Sequence, residues 1–144
     1  MPGSHKRWWI LGLALLVGTQ TAFGQLFEAD SKRGGHSKMD IVVKEIERRD
    51  RSSIMEITIT KVGSSVGSSF FLLCSLRQLA QLRGPYRYIV KIEETPKPGQ
   101  MLVGFLRAPE ESLSAIDTGF AGNHPRLTVI DLDQFAPICD LPKQ

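Results

Sequence analysis

A single segment of helical spacing, with strand-like segments on both sides, limits the architectures open to this chain. The apolar residues of segment 70–83 recur at intervals of three and four, as they do along one stripe of a helix. They are Leu72, Leu73, Leu76, Leu79 and Ala80. Gly84 and Pro85 end the predicted helix, because glycine tolerates a left-handed cap and proline cannot continue the hydrogen-bond ladder. One amphipathic helix must bury its stripe against another layer.

Two segments before the helix have the two-residue period of strands. Segments 40–48 and 54–62 are rich in β-branched residues, and the polar segment 49–53 between them predicts a hairpin. Apolar and polar residues alternate along the second strand, and we expect the apolar ones to face the core. These are Met55, Ile57 and Ile59.

Alternation returns after the helix in segments 86–93 and 101–106, which a loop rich in proline and glycine joins into a second predicted hairpin. The residues expected on one face of its first strand are Tyr86, Tyr88, Val90 and Ile92. Segment 127–130 is a candidate short strand. The order strand, strand, helix, strand, strand, short strand predicts one α+β domain at 40–144, with a small antiparallel sheet and one main helix packed on one face.

The first 24 residues have the features of a cleavable secretory signal peptide. A cationic start at 5–7 precedes the apolar run 8–17, and small residues stand three and one positions before a cleavage site at Gln25. A retained membrane anchor is the alternative, but a spanning helix needs about 20 apolar residues, and this run has ten. We therefore expect a periplasmic or extracellular protein with no membrane span after cleavage. Segment 25–39 is polar, lacks an apolar period and is predicted to be a flexible lead-in.

Charge in the predicted mature chain is nearly balanced but unevenly distributed. Without the leader, 16 cationic residues oppose 15 carboxylates, so nucleic acid is not an expected partner. Segment 62–107 has an excess of cations and segment 108–144 an excess of carboxylates. This pattern suits ion pairs between the two segments, or a surface that contacts another envelope protein. The cations expected on such a surface are Arg77, Arg87 and Lys91.

Both cysteines, Cys74 and Cys139, lie in the predicted mature chain. In an oxidising compartment an even pair in a small domain most simply forms a disulfide, although two free thiols remain the alternative. On the predicted helix Cys74 points away from the apolar stripe. A disulfide to Cys139 would therefore draw the C-terminal tail across the outer side of the helix.

The segment that precedes the predicted helix, 63–69, is rich in glycine and serine. Free N–H groups at a helix N-terminus favour an anion, and this predicts an anion-binding turn at Ser64, Ser65, Gly67 and Ser68. The turn lacks the Gly-Lys-Ser/Thr ending of a phosphate-binding loop. The interpretation that we favour is structural: Ser64 or Ser65 caps the helix, and the glycines allow close packing.

Catalytic motifs are not readable in the predicted mature chain. A hydrolase of the serine type needs a nucleophile, a histidine and a carboxylate together, and no Gly-x-Ser-x-Gly elbow is present. His36 falls in the lead-in and His124 in a turn. The adjacent carboxylates Glu93 and Glu94 would point to opposite faces of a strand, which is the wrong geometry for glycoside hydrolysis. Two distant cysteines and three histidines lack the spacing of a zinc site, so neither a metal nor a cofactor is expected.

Two functional classes remain open at this stage. The first is an exported, non-enzymatic binding or accessory module, which would contact another envelope protein through a sheet edge or its cationic segment. The second is a small envelope hydrolase with a site assembled from His124 and distant carboxylates. The missing motifs favour the binding module. The residues that line a concave surface would discriminate between the two classes.

Overall fold

The computed structural model describes residues 24–142, and most of the predicted signal peptide lies outside them. Six strands form one antiparallel sheet in the order β1-β2-β3-β5-β4-β6. The strands are β1 (Glu28–Asp30), β2 (Asp40–Arg48), β3 (Ser52–Lys61), β4 (Tyr88–Glu93), β5 (Gln100–Leu106) and β6 (Leu127–Asp131). The helices are α1 (Ser65–Arg83), α2 (Leu113–Ile116) and α3 (Ala136–Cys139), with 3₁₀ turns at Thr118–Phe120 and Leu132–Phe135. The predicted α+β class, with one main helix on an antiparallel sheet, is confirmed.

Helix α1 begins five residues before the segment that the apolar period marks. Its first turn is stabilised by Ser64, whose hydroxyl accepts a hydrogen bond of 3.0 Å from the backbone N–H of Gly67. At the other end, the N–H of Gly84 donates to the carbonyl of Ala80 at 3.1 Å. The capping interpretation of the Gly-Ser segment is therefore confirmed, and local polar contacts extend the helix beyond its apolar stripe.

The main core lies between α1 and one face of the sheet. Its fully buried members include Met55, Leu79 and Phe105. Of the three residues expected to face the core from β3, Met55 is buried and Ile57 half-buried, but Ile59 is 49% exposed. The prediction for Ile59 was wrong because β3 extends beyond Glu56, which is the last β3 residue that pairs with β5.

A second, smaller core covers part of the opposite face. Tyr88, Val90 and Ile92 of β4 contribute to it, as their alternation predicts. Tyr86 instead packs against the main core, because it precedes the first residue of β4 and so falls outside the strand period. A sheet that is covered on both faces explains why β5 is buried from Met101 to Leu106.

Glycine at position 104 allows the second core to close over the sheet. A β-carbon there would lie 2.7 Å from the ring of Phe120 and 2.9 Å from side-chain atoms of Ile116 and Val90. Such distances are shorter than van der Waals contact, so a side chain would push the segment with Ile116 and Phe120 away from the sheet. The close approach therefore depends on the missing side chain.

The predicted flexible lead-in contains the edge strand β1, so the sheet has one strand more than the sequence pattern indicates. Ser31 links the end of β1 to the start of β2. Its hydroxyl donates to the carbonyl of Met39 at 3.1 Å and accepts from the N–H of Ile41 at 2.8 Å. Phe27 is buried in the main core. A strand of three residues with one apolar neighbour is too short to give a readable period. Among residues 24–142, no helix has both the length and the apolar character to cross a membrane.

Candidate binding groove

A surface groove of about 800 Å³ lies between the edge strand β1, the outer side of α1 and the C-terminal tail. Its floor follows one stripe of the helix from Gly67 to Gln81, which is about 21 Å at 1.5 Å per residue. Phe70 and Phe71 supply the apolar part of this floor, and Gln78 supplies a polar part. The helix therefore uses two adjoining stripes, one against the core and one for the groove, and Phe71 contributes to both.

The first wall of the groove is the outer edge of β1. The carbonyl of Phe27 accepts a hydrogen bond from Glu45 of β2 at 2.8 Å, and the N–H of Ser31 donates to Ile41 of β2 at 2.9 Å. Because backbone groups alternate in direction along a strand, the N–H and C=O groups of Glu28 and Asp30 point away from β2. These two residues also line the groove.

A tight turn closes one end of this edge. The carbonyl of Asp30 accepts a hydrogen bond from Gly34 at 3.1 Å, and the N–H of His36 donates to the carbonyl of Ser31 at 3.0 Å. The His36 ring stands edge-on to Phe71, with the ring centres 6.0 Å apart. The turn leaves the N–H and C=O of Glu28 and the N–H of Asp30 as the outward groups of β1.

The opposite wall is the C-terminal tail, which two contacts fasten to α1. Cys74 and Cys139 form a disulfide, with their α-carbons 5.3 Å apart. One turn further along the helix, Arg77 makes two hydrogen bonds to Asp140, the shorter at 2.6 Å. The tail thus crosses the outer side of the helix, as the cysteine positions predict. It contributes Leu141, which is 65% exposed, to the groove.

The three cations predicted to form a partner surface are each paired within the chain. Arg77 pairs with Asp140, and Lys91 pairs with its strand neighbour Glu93 at 2.6 Å. Arg87 contacts both Asp131 and Asp133, and these pairs join the cationic middle segment to the acidic C-terminal segment. The structure thus bears out the alternative interpretation of the uneven charge. A partner surface at these residues stays a prediction, and only Arg77 of the three lines the groove.

The predicted anion-binding turn is largely occupied by its own hydrogen bonds. Ser64 caps α1, its carbonyl accepts from the N–H of Ser68, and the Ser68 hydroxyl donates to the carbonyl of Ser65. Of the four residues singled out, Gly67 alone lines the groove. These contacts account for the serines structurally, and anion binding there stays a prediction.

Sequence reasoning missed a buried carboxylate on β2, outside the groove. The Glu45 side chain is fully buried, and its oxygens accept hydrogen bonds from Arg48 at 2.6 Å, from Ser53 at 2.5 Å and from the Phe27 N–H at 3.1 Å. Arg83, at the end of α1, donates to the Ser53 hydroxyl at 2.6 Å and approaches Glu45 at 3.4 Å. The cluster joins two strands to the helix end. The sequence could have indicated this cluster, because Glu45 stands at a position of β2 whose side chain faces the core.

Burial and hydrogen bonding act in opposite directions on the pKa of Glu45. Burial alone raises it, because desolvation disfavours the charged form. The donors on Arg48, Ser53 and Phe27 outweigh burial and leave the pKa below its ordinary value of 4.5. Glu45 is therefore a structural anion at neutral pH.

The two histidine rings of the described residues have different partners. The His36 ring contacts Phe71, and His124 hydrogen-bonds the carbonyl of Ala121 at 2.8 Å. Within residues 24–142, no three His, Cys, Asp or Glu side chains are grouped so that they could hold a metal ion. Comparison with known protein families, with curated proteins and with solved structures finds no match to this chain.

Proposed function

We propose that this protein is an exported binding module that holds an extended segment of a partner polypeptide in the groove beside β1. The segment pairs with the outer edge of β1 as an additional strand. The observation that carries this proposal is the position of the groove: Glu28 and Asp30, whose backbone groups point away from β2, line the same concavity as the apolar residues Phe70 and Phe71. Strand addition at a sheet edge is a common mode of peptide recognition.

The dimensions of the groove define the occupant. A floor of about 21 Å accommodates about six residues of extended chain, at 3.3 Å per residue. Glu28 offers one N–H and one C=O, and Asp30 offers one N–H, to the backbone of this segment. Alternate side chains of an added strand point to the same face. We therefore expect apolar residues at every second position, in contact with Phe70 and Phe71.

Export is the second part of the proposal and rests on the N-terminal sequence together with the disulfide. The segment that precedes Gln25 has the order of zones that signal peptides have. A formed disulfide between Cys74 and Cys139 fits an oxidising compartment. In such a compartment the disulfide would hold the tail in place as the far wall of the groove.

The hydrolase alternative has less support from the described residues. Both cysteines are consumed by the disulfide, and the imidazole of His124 is engaged by a backbone carbonyl. His36 does line the groove, but its ring contacts the apolar Phe71. Assays of purified mature protein on ester, peptide and glycan substrates test this alternative. Turnover that His124→Ala or His36→Ala abolishes would establish it.

A displayed library of random octapeptides, selected on the immobilised mature protein, tests the binding proposal. We expect the selected peptides to have apolar residues at every second position. Binding of a selected synthetic peptide should weaken with Phe70→Ser, which removes an apolar contact. It should also weaken with Glu28→Pro, which removes an outward N–H without touching the β1–β2 hydrogen bonds.

The matched control is Leu82→Ser. Leu82 also lies on α1 and is 69% exposed, but it does not line the groove. This variant should bind the selected peptide as the parent does. A library without enrichment, or a peptide that loses affinity equally for all three variants, would contradict the proposal.

A further inference from the structure

Among residues 24–142, the sheet has a second edge without a paired strand, at β6. The direction of the β6 backbone groups follows from the pairing with β4. The N–H of Leu132 donates to the carbonyl of Arg87 at 2.9 Å, which makes these two residues a hydrogen-bonded pair. Such pairs alternate along an antiparallel ladder. The backbone groups of Leu127, Val129 and Asp131 therefore point outward from the sheet.

The β6 edge lacks the devices that usually prevent strand pairing. Natural edge strands carry lysine, proline or a bulge, or are very short. The β6 sequence is Leu-Thr-Val-Ile-Asp, and its register with β4 runs without a shift from Leu127 to Asp131. Val129, at its centre, is 39% exposed. An edge of this kind, rich in β-branched residues, is suited to a partner strand.

Two of the outward groups on β6 are already used within the chain. The N–H of Leu127 donates to the carbonyl of His124 at 3.1 Å. Asp131 is the N-cap of the 3₁₀ turn that follows, so its carbonyl accepts the first hydrogen bond of that turn. In the part of the chain that the structure describes, the outward groups of β6 that remain are the C=O of Leu127, both groups of Val129 and the N–H of Asp131.

These remaining groups are complementary to themselves about a two-fold axis. If two copies pair in antiparallel fashion with Val129 opposite Val129, each Val129 N–H donates to the Val129 carbonyl of the other copy. Each Asp131 N–H then donates to the Leu127 carbonyl of the other copy. The pairing forms four hydrogen bonds. In each copy, the N–H of Leu127 and the C=O of Asp131 have no partner in the other copy, but both are already hydrogen-bonded within their own chain.

The charges at the ends of β6 agree with the same arrangement. The strand is preceded by the exposed cation Arg126. It ends at the carboxylates Asp131 and Asp133, which share the single cation Arg87 and so keep an excess of negative charge. In the two-fold pairing, the cationic end of one strand lies beside the acidic end of the other. A parallel pairing would instead bring like charges together, which is unfavourable.

We propose that a second copy of this chain binds at β6, in antiparallel register about Val129, and forms a continuous sheet of twelve strands. The interface is small and centred on four backbone hydrogen bonds, so the dimer is in concentration-dependent exchange with the monomer. This inference is independent of the proposed peptide groove, because β6 and β1 are opposite edges of the sheet.

Sedimentation equilibrium of the mature protein, from about 1 μM to about 1 mM, tests the inference across the range of weak association. We expect a monomer–dimer equilibrium in the parent. Val129→Pro removes the outward N–H and leaves the hydrogen bonds to β4 in place, so we expect the dissociation constant to rise about tenfold or more. Val129→Thr keeps the N–H and is the matched control.

A charge-reversal experiment tests the antiparallel arrangement and does not depend on a proline. Arg126→Glu should weaken the dimer, and Arg126→Lys, which keeps the cation, should not. Far-UV circular dichroism verifies that each variant is folded. A parent that stays monomeric at about 1 mM, a Val129→Pro variant that dimerises like the parent, or an Arg126→Glu variant that dimerises like the parent would each overturn the proposal. Binding of a groove-selected peptide should be unchanged by Val129→Pro, which separates failure of this inference from failure of the proposed function.

Discussion

Replacing Glu45 with glutamine removes the negative charge from a fully buried carboxylate while it keeps the size of the side chain. Glutamine retains one acceptor oxygen and replaces the other by an amide that can only donate. The group that faces Ser53, Arg48 and Arg83 would therefore lose part of its accepting capacity. We expect the variant to fold with a lower free energy of unfolding.

The expected size of the effect follows from the exposure of the two arginines. Removing one member of a buried ion pair typically costs about 3–5 kcal/mol, because the other charge is left without a partner. Arg83 has a side chain only 8% exposed, whereas Arg48 is 34% exposed and can turn toward water. The cost then lies at the lower end of the range, about 3 kcal/mol.

Urea denaturation followed by far-UV circular dichroism measures this difference. Both tryptophans of the chain stand at positions 8 and 9, so the predicted mature protein lacks a tryptophan signal. Glu47→Gln is the matched control, because Glu47 lies on the same strand, pairs with Arg49 at 3.0 Å and is 52% exposed. The control should cost less than about 1 kcal/mol. Equal costs for the two variants would refute the structural role of the cluster.

The pH dependence of stability gives a second test of the same carboxylate. The folded-state pKa of Glu45 lies below its ordinary value of 4.5, so its ionisation stabilises the native state above that value. This contribution is lost as the pH falls through the folded-state pKa, where the native carboxylate takes up a proton. The stability difference between the parent and Glu45→Gln should be constant at neutral pH and shrink below about pH 4.5. A difference that grows with acidification would contradict the assignment.

Three further outcomes follow from the fold. Loss of the disulfide through Cys74→Ser with Cys139→Ser should cost about 4 kcal/mol in the chain-entropy estimate, measured by urea denaturation; cysteines that alkylate in the unreduced, denatured protein would show that the disulfide is not formed. Gly104→Ala should cost about 1–3 kcal/mol by overpacking the second core, and a melting temperature equal to the parent's would refute that packing. Intact mass of protein from an exporting host should show a chain that begins within about two residues of Gln25, whereas a retained leader in the membrane fraction would favour the anchor.

The main elements of the fold could be predicted from the sequence because their patterns are local. Strand β2 has the predicted bounds 40–48, and the helix ends at the predicted residue, Arg83. Strand β1 could not be predicted, because it is defined by pairing with β2 and by the contacts of Ser31 and not by a period of its own. The second core was missed for a similar reason: its closure depends on the absence of a side chain at position 104.

The groove was predictable in only one of its parts. The direction of Cys74 on the helix, together with the assumption of a disulfide, correctly places the tail on the outer side of α1. The opposite wall requires β1, which the sequence pattern did not reveal. Because the groove combines segments about 45 and 65 residues apart in the chain, its shape is a property of tertiary packing alone.

The strand order places β1 and β6 at opposite edges of the sheet, and this has a consequence for how a dimer would bind. Twelve strands spaced about 4.8 Å apart separate the two outer edges by roughly 50 Å. Joining two copies through β6 would leave both grooves open, one at each end, and related by the two-fold axis. A partner that carries two suitable segments could then be held at both ends at once, with an avidity greater than the affinity of either groove. Segments joined by a linker too short for this span would gain nothing from the second groove.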